Sequence, residues 1–101
     1  MYKHVVLWKL KEKVDGKSRA ELAAEVKKRL DTLPGFIPEI VEYETGINTG
    51  NYGASFYDVS LISVFDNKET FWNYTKYPEH DAVVEYIKSV QEAEQIVDYE
   101  F

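Results

Sequence analysis

The chain has no cysteine among its 101 residues, which excludes thiol nucleophiles, disulfides and thiolate metal sites. It has two histidines, His4 and His80, so imidazole chemistry has only two places to occur. Nowhere do 18 consecutive apolar residues occur. The first strand-like run starts almost at Met1, where a secretory leader would place a charged region and an apolar core. The expectation is a soluble, cytoplasmic protein with no membrane partner. Five glycines and three prolines are few enough that each breaker carries positional information.

Charge is distributed unevenly. Residues 1–30 hold nine Lys/Arg against four Asp/Glu, whereas residues 31–101 hold three against fourteen. A net charge of −6, with basic residues scattered over a strand, a loop and a helix face, is a poor basis for wrapping phosphates. No nucleic-acid partner is expected. A hydrophobic fraction of 45% over 101 residues is enough for one compact core, so a single domain spanning 1–101 is expected.

Tyr2 to Leu10 alternates with both faces largely apolar: Tyr2, His4, Val6, Trp8 and Leu10 on one side, Val5 and Leu7 on the other. It reads as a central strand covered twice. Lys11 to Lys17 is a polar turn broken by Asp15-Gly16. Ser18 and Glu21 have the spacing of a capping box, and Leu22, Val26, Leu30 and Leu33 form the apolar stripe of the helix that follows. Pro34-Gly35 ends that helix. A second strand is expected over Ile40 to Thr45, then a flexible loop from Gly46 to Ser55 that serves either as a lid or as a disordered connection. The third strand is expected over Phe56 to Phe65, with Val59, Leu61 and Phe65 opposite Ile62 and Val64. Asn67 or Asp66 caps a helix that puts Phe71 and Tyr74 on one face. The chain closes on a strand from Gln95 to Phe101.

Between the last two elements lies Asn73-Tyr74-Thr75-Lys76-Tyr77-Pro78-Glu79-His80. Proline fits the first turn of a helix and disfavours helical geometry in the residue before it, so a broken helix is expected near Tyr77-Pro78. His80 then falls in the first turn of the second half, sharing a stripe with Val83, Val84 and Ile87. A helix N-terminus and an apolar setting both favour a neutral imidazole able to accept a proton near pH 7. Glu79 and Asp81 oppose that shift.

Strand, helix, strand, strand, broken helix, strand is the ferredoxin-like order, an α+β fold with a four-stranded antiparallel sheet and helices on one face. Two helices cover one side of the sheet. A homodimer formed by laying two open faces together, curled toward a barrel, would cover the other, with Val97, Tyr99 and Phe101 in the seam. Glu92, Glu94, Asp98 and Glu100 would share one face of a strand starting that early. Such a row is usually solvated, and neither it nor the two histidines have metal-ligand spacing, so no metal or cofactor is expected.

Lys3-His4-Val5-Val6-Leu7-Trp8-Lys9-Leu10, the run from Tyr57 to Asp66, Tyr74, Pro78-Glu79-His80 and the closing Val97-Asp98-Tyr99-Glu100-Phe101 resemble the stress-responsive dimeric A/B barrel (Dabb) domain over nearly the whole chain. The resemblance implies a dimeric α/β barrel and a cavity between sheet and helices. A plant polyketide cyclase of that family closes a ring by intramolecular aldol condensation without a cofactor. By that likeness His80 corresponds to its base, Tyr74 to its partner tyrosine and His4 to a further pocket histidine. Val6, Trp8, Leu61, Ser63, Val84 and Ile96 are the implied wall. The family's common His-Pro-x-His is Tyr77-Pro78-Glu79-His80 here, and Trp8 is bulky, so a long polyketide fits the pattern poorly.

Several functions remain open from sequence. The expected one is a stress-associated homodimer that binds a small apolar molecule. A second is a cofactor-independent aldol-type cyclase or lyase in which His80 acts as base and Tyr74 or His4 as donor. In the competing structural reading, both histidines and Tyr74 are satisfied core residues. A cofactor-free monooxygenase, known on a related barrel, and a structural assembly module complete the set.

Overall fold

The computed structural model describes residues 1–101. Strand β1 (Tyr2–Leu10) lies inside an antiparallel sheet, paired on one side with β5 (Val59–Phe65) and on the other with β6 (Gln91–Glu100). Strand β4 (Glu42–Ile47) flanks β5, giving the order β4-β5-β1-β6. Helices α1 (Arg19–Leu30), α2 (Lys68–Tyr74) and α3 (Pro78–Val90) accompany it. This is the expected ferredoxin-like α+β arrangement, with β4 and β6 as its edges.

Local chemistry accounts for most of the boundaries. Ser18 accepts a hydrogen bond from the Glu21 amide while the Glu21 carboxylate accepts one from the Ser18 amide, so α1 opens on a closed capping box. Leu22, Ala23, Val26 and Leu30 are its buried face, and a short 3-10 turn over Leu33–Gly35 extends the line to Leu33. Asn67 caps α2 through the Thr70 amide. Tyr77 is extended (ψ 135°) ahead of Pro78, which starts α3. The break therefore spans Thr75 to Tyr77, as the proline requires.

Other boundaries differ from expectation. The polar turn after β1 is a small hairpin of β2 (Lys13–Val14) and β3 (Lys17–Ser18). Asp15 (φ 50°) and Gly16 (φ 80°) both take the left-handed conformation that a two-residue hairpin turn needs. Strand β4 runs two residues later than Ile40 to Thr45, and β5 begins at Val59 rather than Phe56. The last strand starts at Gln91, not Gln95, because α3 passes into it without a loop and the Lys11 amide donates to the Val90 carbonyl at 2.9 Å.

The two faces of the sheet differ in cover. Tyr2, Val6, Trp8, Leu10, Val59, Leu61 and Phe65 pack beneath the helices in one core with Leu22, Val26, Phe71, Tyr74, Val83 and Ile87. Register puts Val5 beside Ile62 and Val97, and Lys3 beside Val64 and Tyr99, on the opposite face. There Leu7, Val97 (56% exposed), Tyr99 (44%) and Phe101 (62%) meet solvent within the single chain. The Lys3 ammonium sits 4.6 Å from the Phe101 ring centre, a cation–π contact.

The loop between β4 and β5 closes on itself. Asn48 and Gly50 exchange two hydrogen bonds of 3.1 Å, and Tyr52 meets Phe56 edge to face. A side chain at Gly50 would collide with the Phe56 ring.

Candidate functional site

A cavity of about 250 Å³ lies between α3 and the helix-covered side of β1, β5 and β6. One end is formed by His4, Tyr74, Thr75 and His80, the middle by Val6, Leu61, Val83, Val84 and Ile87, and the far end by Trp8, Lys88, Gln91 and Glu94. Phe71 and Ile96 also contribute. The structure thus brings together His4, Val6, Trp8, Leu61, Tyr74, His80, Val84 and Ile96, all of which the sequence put forward. Ser63 is the exception. It faces the same side but is fully buried between His4 and Tyr43, its neighbours across the ladder, and its hydroxyl lies 3.5 Å from the His4 carbonyl. A small side chain flanked by two large ones is covered by them. The loop from Gly46 to Ser55 adds no residue to the cavity and packs instead near Leu7 and Ser60.

His80 reaches the cavity because Pro78 starts α3 two residues earlier. Its ring meets that of Tyr74 edge to face, with centres 4.6 Å apart, and its side chain is 16% exposed. The Nδ1 atom is sealed from solvent and makes no hydrogen bond; the nearest carboxylate oxygen, on Asp81, is 3.7 Å away. Burial is the largest influence on this group and pushes its pKa below the ordinary histidine value. Asp81 and the Thr75 backbone work the other way, and His4 adds to the lowering. Burial wins, so the ring is held neutral, as a base requires. Burial likewise raises the pKa of the Tyr74 phenol, keeping it protonated and able to donate.

His4 is built differently. Its Nδ1 lies 2.6 Å from Asp98 Oδ1, and the Tyr2 hydroxyl donates to Asp98 Oδ2 at 3.2 Å. The His4 ring packs 4.8 Å from Phe71 and 6.4 Å from Tyr74, centre to centre. Sequence reasoning grouped Asp98 with a solvated acidic row. The signal that would have found it is the β1–β6 register, which sets His4 opposite Asp98 on the helix-covered face. No group of three or more His, Asp or Glu side chains converges as a metal site would. No helix is long and apolar enough to cross a membrane.

The His80 shift sets a pH dependence of stability. A folded-state pKa below the unfolded one means that the unfolded chain binds more protons in the interval between them, so stability rises with pH there. His80→Phe should flatten the dependence of thermal unfolding on pH below about 6.5, the ordinary histidine value, relative to the parent chain. Unfolding curves over that range check it, and an unchanged slope would show that burial of His80 carries no such linkage.

Comparison with known proteins agrees with this geometry. The chain matches the stress-responsive A/B barrel domain model over residues 2–101. No match was found among curated proteins. Among solved structures, a dimeric protein of ferredoxin-like fold from Bacteroides fragilis shares 31% identity at a TM-score of 0.85, with 99% of this chain and 95% of that one covered. An Arabidopsis thaliana protein follows at 22% identity and a TM-score of 0.80, covering 100% and 95% of the two chains. The hydroxynitrile lyase of Passiflora edulis superposes at a TM-score of 0.80 with 17% identity, covering 97% and 90%. The last two share the fold. With a family model spanning residues 2–101 and a relative of 31% identity aligned over almost the full length of both chains, the chain belongs to the stress-responsive A/B barrel (Dabb) family.

Proposed function

We propose that the protein is a two-fold homodimer whose subunits each bind a small, mainly apolar molecule in the cavity between sheet and helices. The observation that carries the binding reading is the cavity itself. An apolar cavity of about 150 Å³ accepts benzene. At about 250 Å³ this one has room for a ring with a short substituent. It is smaller than the 300–1,000 Å³ of ordinary drug-sized sites, which argues against a long substrate. Toluene titrated into the protein should shift the NMR methyl signals of Val6, Leu61 and Ile87. Val84→Trp should fill the space and remove the response. Unchanged methyl signals in the parent chain would refute the binding reading.

The dimer reading rests on Leu7, Val97, Tyr99 and Phe101, which are exposed on the uncovered side of the sheet, and on the dimeric state of the Bacteroides fragilis relative. Full burial of a side chain of this size contributes about 1.5–3 kcal/mol, so several of them in one seam drive association. A charge at the centre should prevent it. Tyr99→Glu is expected to halve the mass measured by light scattering, whereas an unchanged mass would place the seam elsewhere.

A second reading, cofactor-independent chemistry of the aldol or lyase type, is favoured by one observation: the buried, neutral imidazole of His80 packed against Tyr74 at the cavity wall. That a structural neighbour is a hydroxynitrile lyase adds support for chemistry in this fold. In this reading His80 removes a proton next to a carbonyl or from a hydroxyl, and the Tyr74 phenol donates to the oxygen that gains charge. Once a turned-over compound is in hand, His80→Ala should lower kcat by about 10²–10⁴-fold, with a smaller loss for Tyr74→Phe. Full activity in His80→Ala would end the enzymatic reading and leave binding alone.

A further inference from the structure

We infer that Asp98 and Tyr2 are positioning residues for a second hydrogen-bonding station in the cavity, the Nε2 atom of His4, which accepts a hydroxyl or N–H donor on the bound molecule. This rests on the small-molecule reading of the cavity and adds a chemical class to it: an apolar body carrying one hydrogen-bond donor.

The geometry leaves the His4 ring little freedom. A carboxylate only accepts, so the 2.6 Å contact places the shared hydrogen on Nδ1. In the neutral ring the lone pair is then on Nε2, which makes no hydrogen bond within the chain although His4 lines the cavity. Phe71 and Tyr74 fix the plane of the ring from the helix side. Tyr2 holds the other oxygen of Asp98, so the carboxylate itself is oriented. Histidines that bind or react are commonly set up this way, through the hydrogen bond made by their other nitrogen.

The alternative is that His4–Asp98 only clasps β6 to β1. That clasp adds little, because the two strands already pair from Tyr2 to Leu10. The contrast with His80 is more informative. His80 Nδ1 has no hydrogen-bond partner, so of the two imidazoles only His4 is locked by a carboxylate. The locked ring suits recognition, and the unlocked one stays available for proton transfer.

The test compares phenol with anisole, which has the same ring but no donor. In calorimetric or NMR titrations the parent protein should bind phenol about five- to tenfold more tightly. His4→Phe should bring that ratio to about one. Asp98→Asn should reduce it, and Tyr2→Phe should reduce it less. Nitrogen chemical shifts of the His4 ring provide a readout that a purely structural clasp would not move: the neutral parent should be protonated at Nδ1, and Asp98→Asn should populate the Nε2-protonated form. Equal binding of phenol and anisole would overturn the inference while leaving the cavity reading intact. Failure of both to bind would remove the cavity reading and the inference with it. Full discrimination in Asp98→Asn, or an Nε2-protonated His4 in the parent, would overturn the positioning role.

Discussion

A four-stranded sheet has two faces, and this chain has helices for one. Every larger feature of the molecule follows from that imbalance. On the covered side, Val6, Leu61 and Phe65 meet Leu22, Val26, Phe71 and Ile87 in a continuous core. On the other, Leu7, Val97 and Tyr99 stay exposed within the single chain. Apolar surface left in water costs free energy in proportion to its area, so the same effect that closes the core favours covering the second face.

The cavity arises where the covered side is not quite filled. Three elements meet there at angles set by local chemistry: β1 through its ladder, α2 through its Asn67 cap, and α3 through Pro78. The proline decides how one end of the cavity is built. It forces a break after Tyr74 and restarts the helix, which brings the Tyr74 and His80 rings into edge contact instead of leaving them six positions apart on one continuous helix. The polar groups of the cavity lie at its two ends, His4, Tyr74 and His80 at one and Lys88, Gln91 and Glu94 at the other, while its middle is lined with Val, Leu and Ile. Such a division favours a ligand with an apolar body and a polar end.

The two histidines show how one cavity gives the same side chain two different settings. His80 is desolvated and its Nδ1 has no hydrogen-bond partner, so burial governs its protonation. His4 lies on a strand whose neighbour supplies a carboxylate at hydrogen-bond distance, so orientation governs its behaviour. Loss of Asp98 would leave the composition of the cavity wall unchanged and alter the direction in which a lone pair points.

Much of this was legible in the residues. Alternation in Tyr2 to Leu10 separated the two faces, the Ser18/Glu21 pair marked the start of α1, and Pro78 marked the break, because each depends on near neighbours along the chain. His80, Tyr74 and His4 were identified from their settings and from the family likeness. Ser63 was misplaced and Asp98 passed over because face alone does not say what lies alongside a residue in the sheet. That is decided by register between strands distant along the chain, which covers Ser63 with His4 and Tyr43 and gives His4 to Asp98. The sequence by itself determined the elements, their order and the side of the sheet each residue faces, since those follow from local geometry and period. Tertiary structure alone decided which polar atoms met, the volume left between them and the protonation each would favour, since these depend on distances and burial that no single segment controls.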